Sequence, residues 1–79
     1  MREIKVEWCK NWIKHTFEKR VPKGGGIEIN CFWRMAEAAG LWERGTYGSP
    51  MSVALLDVCI VDSVSNDEGE YQFSVFRLR

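Results

Sequence analysis

Residues 49–64 read Ser49-Pro50-Met51-Ser52-Val53-Ala54-Leu55-Leu56-Asp57-Val58-Cys59-Ile60-Val61-Asp62-Ser63-Val64, and within this stretch helix chemistry gives way to strand chemistry with no linker. Ser49 supplies an N-cap oxygen and Pro50 suits the first helical position, where its missing N–H costs nothing. The helix they start is expected to run to about Val58, with Met51, Ala54, Leu55 and Val58 inward and Ser52, Val53, Leu56 and Asp57 outward. From Cys59 the chain turns β-branched, and Tyr71-Gln72-Phe73-Ser74-Val75 alternates strictly, as a half-buried strand does. Between the two runs lies Ser65-Asn66-Asp67-Glu68-Gly69-Glu70, with Gly69 placed to take positive φ, so the strands should pair as an antiparallel hairpin.

Working back toward the N-terminus, Cys31-Phe32-Trp33-Arg34-Met35-Ala36-Glu37-Ala38-Ala39 places Phe32, Met35, Ala36 and Ala39 at helical steps. Asn30 is the expected N-cap, and Gly40-Leu41 reads as a left-handed stop with an apolar latch. Trp42-Glu43-Arg44-Gly45-Thr46-Tyr47-Gly48 is a connection that its glycines keep from being helical. Ile27-Glu28-Ile29 alternates as a very short strand would. A first helix is expected from about Glu7 to Arg20, with Val6, Cys9, Trp12, Ile13, Thr16 and Phe17 inward and Lys10, Asn11, Lys14, His15 and Glu18 in water. Pro22 ends it, and Lys23-Gly24-Gly25-Gly26 reads as a flexible connector, because the order of a phosphate-binding GxxxxGK[ST] loop is absent. One core is expected from Cys9, Ile13, Phe17, Phe32, Ala36, Met51, Ala54, Leu55, Val58, Phe73 and Val75.

With 79 residues, 46% of them apolar and 28% charged, the chain is read as one domain, residues 1–79, of ordinary globular composition. No run approaches the eighteen or so apolar residues of a membrane span, and Met1 to Lys10 lacks the apolar core of a secretory signal, so the expectation is a cytoplasmic chain with no membrane partner. Cys9, Cys31 and Cys59 form no CxxC unit and share no chelate spacing with His15, the one histidine. Reduced thiols, no metal and no cofactor are therefore expected. A nucleophilic cysteine would need a base, and His15 on a solvated helix face is poorly placed to serve, so catalysis is not expected either.

The order helix, short strand, helix, connection, helix, strand, loop, strand resembles that of the winged helix-turn-helix family. The residues that carry the likeness are Phe32 to Leu41, Ser49 to Val58, and Tyr71 to Leu78. The resemblance implies an α+β fold of three helices and a C-terminal antiparallel hairpin. It also implies a third helix that enters the major groove of DNA and a hairpin loop, the wing, that touches backbone or minor groove. In size, element order and charge the chain is also similar to accessory proteins of phages and other mobile elements. These include repressors, anti-repressors and inhibitors of host nucleases such as anti-CRISPR proteins.

Base readout needs Arg, Lys, Asn or Gln, and phosphate docking needs cations or hydroxyls. The third helix has none of those four residue types, and the wing offers Asp67, Glu68 and Glu70. Eight Lys+Arg against five Asp+Glu up to residue 39, and three against six after it, divide a net charge of zero into +3 and −3. The half expected to read DNA is the acidic one. The favoured function is therefore a protein-binding module, in which Val53 and Leu56 form an apolar centre rimmed by Asp57 and the acidic wing. An inhibitor that fills a nucleic-acid groove would use such carboxylates as phosphate surrogates. The alternative is a DNA-binding regulator or repressor that docks on double-stranded DNA through Arg44, Tyr47 and Ser52 with neighbouring hydroxyls. A homodimer seam would also account for Val53 and Leu56. Of the tryptophans, Trp12 is assigned to the core, whereas Trp8, Trp33 and Trp42 are either core filler or partner anchors.

Overall fold

The computed structural model describes residues 3–46, 48–66, 68–69 and 71–79. The chain is α+β: α1 (Val6–Arg20), β1 (Ile27–Glu28), α2 (Ile29–Ala38), α3 (Pro50–Val58), β2 (Cys59–Ser65) and β3 (Gln72–Leu78). The strands form one antiparallel sheet in the order β1-β3-β2, so β3 is central and β2 lies at an edge.

The stop of α2 and the start of α3 follow their sequence signals. Gly40 takes φ +75°, and the N–H groups of Gly40 and Leu41 donate to Glu37 and Ala36 at 3.0 Å each, the paired bonds of a Schellman turn with Leu41 buried behind it. Ser49 Oγ accepts from the Ser52 N–H at 3.3 Å, and Pro50 opens α3. The N-cap of α2 differs from expectation. Glu28, not Asn30, caps it, its Oε2 accepting from the Cys31 N–H at 2.8 Å while Asn30 Nδ2 steadies Oε1 at 3.1 Å. Helix geometry begins at Ile29, two residues earlier than expected, which moves the cap to the last residue of β1. That backbone N–H is the main reason the Glu28 carboxyl titrates below its ordinary range. Residues 39–49 join α2 to α3, far more chain than the three or four residues of a compact helix-turn-helix.

The core draws on every element. Cys9, Ile13 and Phe17 of α1 meet Met51, Ala54 and Leu55 of α3, with Phe32 and Ala36 of α2 and Ile27, Cys59 and Phe76 of the sheet. Phe32 is its hub: its ring centroid lies 5.6 Å from Trp12, 5.6 Å from Trp33 and 5.0 Å from Phe76, all edge-on. Trp33 in turn lies 4.8 Å from Trp42, so three tryptophans are packing residues, while Trp8 is exposed. Val58 packs at the margin of this cluster rather than inside it.

β3 follows the phase its alternation suggests only in part: Val75 is buried as expected, but Phe76 and not Phe73 faces the main core. Phe76 points into the core, whereas Phe73 is 38% exposed, and Val75 is buried on the other face of the sheet, outside the main cluster. A strand shifted by one residue exchanges its faces, and the β1–β3 register, Ile27 opposite Phe76, sets which one faces α2.

Val75 is covered by the loop after α1, which is not the free connector that its glycines suggest. A Cβ on Gly26 would come 2.8 Å from Val75 Cγ2, so only glycine lets the backbone lie this close. Arg77 fastens the same loop to the sheet, its Nη1 donating to the Gly24 carbonyl while its Nε donates to Asp62 Oδ2 at 2.9 Å.

Candidate functional site

The outward face of α3 is as expected in composition and different in electrostatics. Leu56 is 77% and Val53 49% exposed. Asp57, expected as part of an acidic rim, instead forms an ion pair with Lys10 of α1, Nζ to Oδ2 2.5 Å. The bond from Lys10 is the main cause that holds the Asp57 carboxyl below its ordinary range, with Arg79 and Lys14 adding weaker attraction, and the same bond raises Lys10. Lys10 is thus a partner of α3 rather than a solvated residue of the opposite face.

The residues expected to touch phosphate are engaged elsewhere. The Ser52 N–H is spent on the cap, and its hydroxyl sits 3.2 Å from that of Ser49. Arg44 reaches back to Glu37, Nη2 to Oε1 3.3 Å. Tyr47, Asp67 and Glu70 lie outside the described residues. Glu68 is exposed in the hairpin loop, beyond the far end of β2. With about 3.3 Å of rise per residue, the loop stands ~20 Å from the Cys59 end of the strand, where Leu56 lies. The expected site therefore divides in two: an aliphatic patch at the base of the hairpin, and a hairpin loop whose exposed Glu68 does not rim it.

Beside Leu56 the structure adds two residues that the sequence reading left out. Ile60 and Val61 of edge strand β2 are exposed, Val61 at 63%, and with Leu56 they border a shallow groove of about 220 Å³ floored by Leu55, Cys59 and Phe76. The signal was present in Cys59-Ile60-Val61, where consecutive apolar residues must put at least one side chain on an outer face. Arg79 closes one end, Nη2 donating to the Leu56 carbonyl at 3.1 Å.

Two of the three cysteines are core residues. Cys9 and Cys59 are buried, and desolvation raises both thiols, Cys59 to about 11, so neither is a thiolate near neutral pH. Among the described residues no three His, Cys, Asp or Glu side chains converge to hold a metal ion, and no helix is long and apolar enough to cross a membrane.

No protein-family model, curated protein or solved structure matches the chain.

Proposed function

We propose that this chain is a small, non-enzymatic interaction module of winged-helix type that binds a protein partner through α3 and the adjoining edge of β2. Two features support the winged-helix part of this reading: the order of elements, and a sheet in which the short first strand pairs with the last. The long connection between α2 and α3 is a departure from the compact form of that fold.

The observation that carries the protein-binding part is Leu56. A leucine three-quarters exposed on the helix that would read DNA, bordering one groove with Ile60 and Val61 and following exposed Val53 on the same helix, gives an apolar centre of the kind that anchors protein interfaces. No side chain of α3 offers a bidentate donor to a base edge, and Ser52 and Arg44 already have partners. Lys10, Asp57 and Arg79 surround the patch as a mixed polar rim, which favours a partner of balanced charge at this point. The wing, with Glu68 exposed, adds an acidic contact further out that would steer a basic partner. An inhibitor of a host nucleic-acid-binding complex, of the kind that phages and mobile elements encode, is one protein that would use such a surface.

Paired baits test the reading. The unmodified protein and a Leu56→Asp variant are used to recover proteins from the native host, alongside random duplex DNA. Recovery of a protein by the first bait and its loss with the second supports the proposal. Sub-micromolar duplex binding in physiological salt that is lost on Arg44→Ala or Ser52→Ala contradicts it.

A further inference from the structure

Of the helix face expected to lie in water, Lys14, His15 and Glu18 adjoin further cations at the end of α1. Lys14, Lys19 and Arg20 stand exposed on the helix and Lys23 follows in the loop, with Glu18 the one carboxylate between them. Lys10, Arg44 and Arg77 are each neutralised by a carboxylate, whereas among the described residues none of these four cations has an ion-pair partner. Attraction to the helix C-terminus accounts for Lys19 and Arg20, and Lys14 feels Asp57 only weakly and at a distance, which leaves Lys23 beyond the helix end with neither. Two grooves flank the ridge. One, of about 460 Å³ between α1 and α2, is lined by Trp12 and His15 together with Lys19 and Arg20. The other, of about 670 Å³, lies between α1 and the end of β3, where Arg77 and Arg79 join Lys14 and Lys23.

We propose that this basic ridge is a nucleic-acid-binding surface that grips the phosphate backbone without reading sequence, centred on α1 and sharing only Arg79 with the border of the α3 patch. The four free cations are spread along the ridge instead of converging on one carboxylate-sized point. Lys14 and Lys23 border one groove and Lys19 and Arg20 the other, so a backbone that crosses the ridge would meet cations on both of its flanks. The half-buried ring of Trp12 and the exposed ring of His15 lie beside Lys19 and Arg20 as flat rings next to cations, the pairing used for backbone tracking with base contact. The site is independent of the partner bound by α3, and the chain would join a nucleic acid to a protein.

Fluorescence anisotropy with a labelled random 20-base-pair duplex and a labelled 20-nucleotide single strand tests this. Four phosphate contacts predict a slope of about −3.6 for the logarithm of duplex affinity against the logarithm of salt, a loss of about 100-fold between 50 and 200 mM. Lys14→Glu with Lys23→Glu, and Lys19→Glu with Arg20→Glu, should each weaken binding at least tenfold, while Leu56→Ala should leave it within twofold. If a charge-reversed chain does not fold, Lys14→Gln with Lys23→Gln replaces it, and the slope should become shallower by about 1.8. Three results would overturn the proposal: no binding to either oligonucleotide at 50 mM salt, displacement by polyglutamate at equal charge concentration, which would indicate an acidic protein instead, or loss of binding on α3 substitutions with the α1 variants unaffected. The last would also contradict the protein-binding reading of α3, whereas the first two leave that reading standing.

Discussion

Leu55 and Leu56 are neighbours in sequence and opposites in environment, and replacing each by alanine separates packing from recognition. Leu55 is 6% exposed and sits between α1 and the sheet, so its loss removes buried methyls and leaves a cavity. The cost should be about 2–5 kcal/mol, a large part of the stability of a domain this small. Leu56 is 77% exposed and keeps less than a quarter of its surface from water. Full burial of a leucine contributes about 1.5–3 kcal/mol, so Leu56→Ala should cost about 0.5 kcal/mol. For a domain of this length 1 kcal/mol corresponds to about 4–8 °C. Leu55→Ala should then lower the melting temperature by about 10 °C or more, and Leu56→Ala by about 4 °C at most. Denaturant unfolding followed by tryptophan fluorescence reads both at equal protein concentration. A Leu56→Ala loss of about 2 kcal/mol or more would refute the reasoning, because it would mean that Leu56 is buried in solution, as at a homodimer seam.

Three further predictions follow from the packing and the charges. Phe76→Ala should cost about 3–5 kcal/mol and Phe73→Ala under about 2 kcal/mol, and the reverse order in denaturant unfolding would restore the face of β3 that its alternation suggests. Because their mutual bond holds the Asp57 carboxyl below its ordinary range and the Lys10 amine above its own, the stability of their pair should be lost as pH falls through the lowered carboxyl value or rises through the raised amine value, with no change between. An NMR titration in which Lys10→Ala fails to move Asp57 upward would contradict that pairing. Alkylation of the native protein should label exposed Cys31 first, with Cys9 and Cys59 protected until unfolding by burial and raised thiol values; equal rates by mass spectrometry would show that the core is open.

How much the sequence revealed depended on whether the signal was local. Ser49-Pro50 and Gly40-Leu41 marked helix ends because capping is satisfied within a few residues of the same segment, and the inner faces of α1 and α3 followed from helical spacing. The phase of β3 was not local. Tyr71-Gln72-Phe73-Ser74-Val75 alternates with Phe73 and Val75 as the apolar set, yet the register against Ile27 turns Phe76 to the core. The Gly26 approach then gives Val75 a second, smaller site behind the sheet. The candidate site failed in the same way. Lys10 and Asp57 are far apart in sequence and meet only because α1 packs on α3, which removes Asp57 from the acidic set. One groove beside the basic ridge is walled by Arg77 and Arg79 from the opposite end of the chain, a proximity that the division of charge between the two halves could not reveal. Leu56 and Val53 were legible because an amphipathic helix that carries aliphatics on both faces declares itself in one turn.

Backbone amide chemical-shift mapping with a short random duplex tests most directly the claim that α3 is a protein-facing surface and not a DNA-reading one. The account predicts salt-sensitive shifts for residues 14–23, with residues 49–57 and the hairpin loop at 66–71 unchanged. Shifts centred on residues 49–57 and the loop, with residues 14–23 silent, would contradict it.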